Sequence, residues 1–181
     1  MIINPTKKAL PIFSKLPKVG DREAGKQESG DYPFFSWTAN YFNFNRKKIV
    51  VLINELTYSP VVLVDMNAEN KKHISEFFKE GLRLTMAQAD VDSKYVNHYL
   101  IKMGQIRVNA AANKSILGKL GQYIFQLKVA ISYSDYDIND QRLAEKMTNH
   151  LAQLIVRGGE NGDYRRTSEA LRTAVTQYLA S

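Results

Sequence analysis

The sequence predicts an α+β fold: an antiparallel β-meander with helices packed on one face, followed by a C-terminal helical hairpin. Three apolar runs rich in aromatic or β-branched residues follow one another across short turns between Phe34 and Asp65. Apolar residues then recur at helical spacing in three segments between Asn67 and Leu127. Two more amphipathic stripes follow Asp135, joined by a short glycine-rich stretch.

Met1–Asn4 reads as a short strand, and Leu10–Leu16 as a short helix interrupted by Pro11. Residues 17–31 are polar and contain Gly20, Gly25 and Gly30, the pattern of a flexible loop. In the first long strand Phe35, Trp37, Ala39 and Tyr41 share a face, and Asn43–Arg46 supply turn chemistry. The run Lys48–Asn54 is apolar on both faces, as a central strand is, and Val61–Val64 closes the meander. Ile74, Phe77, Phe78, Leu82 and Thr85 mark the first helix, with Asn67 or Asn70 as cap. Val91, Tyr95, Val96 and Tyr99 mark a second, ending near Gly104, and Gln105–Asn109 a fourth strand. Ile116, Leu120, Ile124 and Leu127 form a third helical stripe, with Gly118 and Gly121 read as close-packing positions.

The tail carries Leu143, Met147, Leu151 and Ile155 on one stripe, closed by Gly158-Gly159. After Asn161-Gly162-Asp163, Leu171, Ala174, Val175 and Leu179 form the other. The expected organisation is an α+β domain over residues 1–130 and a helical hairpin over 131–181, either packed on that domain or used for homo-oligomerisation.

Composition narrows the function. The 181 residues are 44% hydrophobic and 24% charged, and include no cysteine, which removes disulfides, thiolate metal sites and thiol catalysis. No apolar run reaches the roughly 18–20 residues of a membrane span, and no signal-peptide pattern follows Met1, so a cytoplasmic protein is expected. The net charge of +7 has a location: between Asp92 and Asp135 there is no acid, while Lys94, Lys102, Arg107, Lys114, Lys119 and Lys128 fall inside. Arg46-Lys47-Lys48 make a second basic spot. Such tracts suit phosphate backbones or an acidic protein. The alternative is a solvated face, or one neutralised by acids from elsewhere in the chain.

No catalytic, metal or cofactor constellation emerges. His73, His98 and His150 are isolated, no serine elbow exists, and Gly118-Lys119-Leu120-Gly121 lacks the ending of a phosphate loop. The pairs Asp90/Asp92 and Asp135/Asp137 read as caps and turn residues. Trp37, with Phe35 and Tyr41, is either a base-stacking platform beside the Arg46–Lys48 turn or the hub of the core, and strand periodicity favours the core. Thr38, Asn40 and Phe42 would then face a partner. Asn40, Asn54 and Glu55 are expected to converge at one end of the meander, as a polar site or as partners for open backbone groups.

Thr6-Lys7-Lys8, Trp37-x-Ala39-Asn40, Asn45-Arg46-x-Lys48, the strand Val51–Asn54 and Asn113–Gln122 together resemble a bacterial domain family of unknown function over about residues 1–130. The family often carries a cysteine and a histidine where this chain has Pro5 and Thr38, so the resemblance implies fold boundaries and no activity, and leaves the tail as an addition.

The expected function is a non-enzymatic binding module using Arg46, Lys47, Lys48, Lys102, Arg107, Lys114 and Lys119 toward nucleic acid or nucleoprotein. A protein-interaction factor, such as a phage- or plasmid-borne inhibitor of a host system, is the first alternative. An enzyme with a site dispersed over Asn40, Asn54, Glu55 and Arg107 is the second.

Overall fold

The computed structural model describes residues 1–110, 113–134, 136–157 and 164–179. Asp135, Gly158-Gly159 and Asn161-Gly162-Asp163, on which turn and cap readings fell, lie outside the described residues. The fold is α+β, with five strands in one sheet ordered β4-β3-β2-β1-β5.

The meander forms as its periodicity predicts. β2 (Ser36–Phe44), β3 (Lys47–Asn54) and β4 (Pro60–Leu63) run antiparallel in sequence order. Asn45 and Arg46 have φ of 45° and 66°, the paired left-handed geometry of a two-residue hairpin turn whose twist suits its strands.

The sheet is mixed rather than a pure meander. β1 (Ile2–Pro5) lies between β2 and β5 (Arg107–Val108) and is parallel to both. Parallel neighbours need long crossovers, and the first crossover contains α1 (Arg22–Asp31), in the stretch expected to be a loop. Asp21 caps it by accepting from Ala24 N at 2.8 Å. Its buried residues are Gly25 and Ser29, so it shows no apolar stripe. A Cβ on Gly25 would sit 2.8 Å from Asn109 Nδ2, so glycine lets this helix approach the sheet edge closely.

Helices cover both faces, not one. Strand side chains alternate between faces. Ile3, Trp37, Val50, Leu52 and Val61 meet α2 (Ile74–Gln88), α3 (Ser93–Lys102) and α6 (Thr167–Leu179) in a first core. Phe42, Ile49, Val51, Ile53 and Val62 meet α4 (Lys114–Tyr133) and α5 (Leu143–Ala152) in a second. A β3 apolar on both sides requires this. Asn4 alternates with Ile3, so α1, bonded to Asn4 through Ser29, covers the β1 end of the second face.

The tail is not a helical hairpin. A two-stranded antiparallel pair, β6 (Ile155–Arg157) and β7 (Tyr164–Arg166), stands between α5 and α6. The apolar stripes of the two helices are consumed in different cores: Leu143, Met147 and Leu151 in the second, Leu171, Val175 and Leu179 in the first. No helix among the described residues is long and apolar enough to cross a membrane.

Candidate functional site: a polar cleft and a basic helix face

A cleft of about 560 Å³ opens on the second face of the sheet, between α1 and the start of α4. Arg22, Lys26 and Ser29 recur at the four- and three-residue intervals of a helix face, which brings all three to the cleft. Asn113 and Lys114 form the opposite wall, with Asn113 Oδ1 capping α4 by accepting from Ser115 N at 3.1 Å. Asn4 and Glu55 also line it.

Asn4 and Glu55 are built into a hydrogen-bonded set. Asn4 Nδ2 donates to Ser29 Oγ at 3.0 Å and to Glu55 Oε1 at 2.8 Å, and Thr38 Oγ1 donates to the same carboxylate oxygen at 2.7 Å. Asn4 is 1% exposed, and its Oδ1 has no partner among the described residues. Leaving a buried acceptor unpaired costs about 1–3 kcal/mol, so this arrangement is not what the core alone would select.

The expected trio of Asn40, Asn54 and Glu55 is only partly a unit. Glu55 reaches the cleft. Asn54 is a buried plug in the β3–β4 connection: Nδ2 donates to the Phe34 and Ser36 carbonyls, and Oδ1 accepts from Leu56 N, Thr57 N and Thr57 Oγ1. Asn40 Oδ1 accepts from Thr6 Oγ1 at 2.9 Å. Arg107 pairs with Glu28 of α1. Of the four residues offered as a dispersed catalytic set, Glu55 alone lines the cleft. Among the described residues no group of three His, Asp or Glu converges as metal ligands would.

Trp37 is core, 1% exposed, with its ring edge-on to Phe78 at 5.2 Å, so it offers no stacking platform. Thr38 and Phe42 are buried too, beneath the second layer of helices, and are not a partner-facing surface.

The basic residues divide by environment. Lys47 pairs with Asp65 at 3.4 Å, and Lys102 donates to the Tyr178 carbonyl at 3.2 Å. Arg107 is neutralised by Glu28, an acid from another part of the chain. Lys48 and Lys119 are half-buried, whereas Arg46 and Lys114 are exposed. The twenty residues of α4 contain no acid. Lys114, Phe125 (62% exposed) and Lys128 lie on its outer side, with Tyr133 (88% exposed) near its end. Lys128 Nζ stands 5.9 Å from the Phe42 ring, which places this end of α4 beside the hairpin that turns at Arg46. Gly118 and Gly121 are exposed, and a Cβ at either would meet nothing within 4 Å, so they are not packing positions.

Asn4, Ser29, Arg22 and Lys26 escaped the sequence reading. The asparagine that ends the apolar run Met1-Ile2-Ile3 was the one mark of the floor in the sequence, and it reads equally as a strand end. Asp21 before a segment with Glu23 was the signal for the wall.

No curated protein and no solved structure matches the chain. The family match runs over residues 2–170, past the point where the resemblance in the motifs ended, so the tail to that position is part of the family's domain and not an addition. By that match the chain belongs to the family described as Domain of unknown function (DUF6933).

Proposed function

We propose that the protein is a non-enzymatic binding module whose basic surface takes nucleic acid or nucleoprotein. The observation that carries this reading is the outer side of α4: twenty residues without an acid, presenting Lys114 and Lys128 with the exposed rings of Phe125 and Tyr133. Cations neutralise phosphates and release counterions, and aromatic faces stack unpaired bases without sequence preference. Arg46 extends the same positive surface from the neighbouring hairpin. Lys47, Lys102 and Arg107 serve the fold through their internal partners and stand outside this surface.

Fluorescence anisotropy with labelled single-stranded DNA and RNA, from low to moderate salt, tests the reading. Affinity should fall linearly on a log–log plot. The double variant Lys114→Gln/Lys128→Gln should lower the slope by about 1.4, from about 0.7 per lost phosphate contact on a single strand. Phe125→Ala should weaken binding severalfold and leave the slope unchanged. Absence of binding at low salt, or an unchanged slope in the double variant, would overturn it.

A further inference from the structure

We infer that the cleft between α1 and α4 is a binding site for a small phosphorylated sugar or polyol. The site is separate from the outer side of α4, and Lys114 is the residue the two share.

The chemistry of the walls and floor selects this class. No aromatic or aliphatic side chain lines the cleft: beside Arg22, Lys26, Lys114 and the floor residues Asn4 and Glu55 it holds a second carboxylate, Glu23. These groups suit a hydrophilic ligand whose carbons lie along the arginine and lysine stems. A nucleobase, which needs a ring or an apolar plate against its face, is a poor occupant. The volume of about 560 Å³ leaves room for a molecule well beyond a lone ion.

Charge divides the cleft into two ends. Lys26 is near Glu23, at 3.9 Å, whereas Arg22 and Lys114 have no ion-pair partner among the described residues. They sit on facing walls and suit one anion held between them, with arginine supplying the planar fork that phosphate oxygens match. The floor has the opposite demand. Glu55 Oε1 already accepts two neutral donors, from Asn4 and Thr38, and Oε2 has no partner among the described residues. Asn4 Oδ1, in a side chain that is 1% exposed, is a second acceptor without one. Buried polar atoms are paired in nearly all folded proteins, so the unpaired Asn4 Oδ1 calls for an O–H donor from a ligand, and Glu55 Oε2, on a partly exposed side chain, offers that ligand a second acceptor. Carboxylate, amide and serine hydroxyl together are the set that reads neighbouring hydroxyls. A sugar or polyol phosphate meets both ends, with hydroxyls on the floor and phosphate between the walls.

Isothermal titration and ligand-observed NMR on the full chain test this with glycerol 3-phosphate, ribose 5-phosphate, glucose 6-phosphate, glucose, inorganic phosphate and phosphoethanolamine. At least one sugar or polyol phosphate should bind tenfold or more tightly than both inorganic phosphate and glucose. Glu55→Gln should remove most of that advantage while leaving weak phosphate binding in place. Arg22→Ala, a change at an exposed residue, should weaken binding tenfold and leave nucleic-acid affinity unaltered, which keeps this site distinguishable from the α4 surface. Circular dichroism and the thermal midpoint confirm that each variant is folded. The proposal is overturned if none of the phosphorylated probes binds, or if inorganic phosphate binds as tightly as the best of them. Tighter binding of phosphoethanolamine, or an unchanged profile in Glu55→Gln, would also overturn it.

Discussion

Trp37 Nε1 donates to the Tyr99 hydroxyl at 3.1 Å, and Tyr99 donates in turn to the Phe34 carbonyl at 2.8 Å. This relay ties β2 to α3 and leaves none of its three buried polar groups unpaired. Tyr99→Phe removes the middle member and strands the buried indole N–H, while the Phe34 carbonyl keeps its bond from Asn54 Nδ2. It should destabilise the protein by about 1–3 kcal/mol, read from the urea midpoint with the single tryptophan as fluorophore. An unchanged midpoint would show that the relay contributes nothing.

Burial pushes the Tyr99 and Tyr123 phenols well above the ordinary tyrosine range, with the charge of Tyr58 adding a smaller upward push on Tyr123. The unfolded chain releases both protons near the ordinary pKa of about 10, while the folded chain keeps them. Stability should therefore fall as pH rises above that value, with a slope approaching about 2.7 kcal/mol per pH unit when both contribute. Urea titrations from pH 9 to 11.5 measure it, and a flat profile would contradict the assignment.

Glycines in two helices should respond oppositely to alanine. A Cβ at Gly81 would lie 2.6 Å from Val61 Cγ1, because α2 packs closely on β4. Gly81→Ala should cost about 1–3 kcal/mol. Gly118→Ala and Gly121→Ala meet open space and should each stabilise α4 by up to about 1 kcal/mol. Thermal midpoints that move in the same direction for all three would refute the packing described.

Asn54→Asp should be among the most damaging single changes. It replaces the amide that donates to two carbonyls with an oxygen that faces them, inside a buried turn. Repulsion and an unpaired buried charge should cost about 3 kcal/mol or more. Soluble expression and a denaturant midpoint close to that of the parent would disprove it.

Local signals were readable wherever a helix or strand faced an apolar layer. The alternation in β2, the two-faced β3 and the stripes of α2, α3 and α4 could all be placed from spacing alone, and Asp92 could be read as a cap. α1 could not, because it covers a polar stretch of sheet and its buried positions are a glycine and a serine. An apolar stripe marks only those helices whose partner surface is apolar. The parallel seat of β1 depends on Arg107 and Val108, far along the chain, and no local pattern encodes such a partner. Of the cleft, Glu55 stood out as a charge directly after an apolar strand. Asn4 did not, since a lone asparagine before a proline reads equally as the end of a strand. Arg107 shows the limit of charge counting: it belongs to the acid-free tract in sequence, and its partner Glu28 lies 79 residues away.

The position of β1 between β2 and β5 also sets an order of assembly. The meander β2–β4 joins neighbours across short turns and can close quickly, because the chain entropy lost in forming such loops is small. β1 reaches its full pairing only when its second flank, residues 107–108, is delivered to the edge. The four-residue strand is therefore expected to insert late. Mutations there should accelerate unfolding while leaving the folding rate nearly unchanged. Ile3→Val and Val51→Ala, compared by stopped-flow, should separate the two classes, with the meander variant alone slowing the refolding limb. On a ribosome, β1 emerges before its partners in the sheet and is then among the last of them to be fixed.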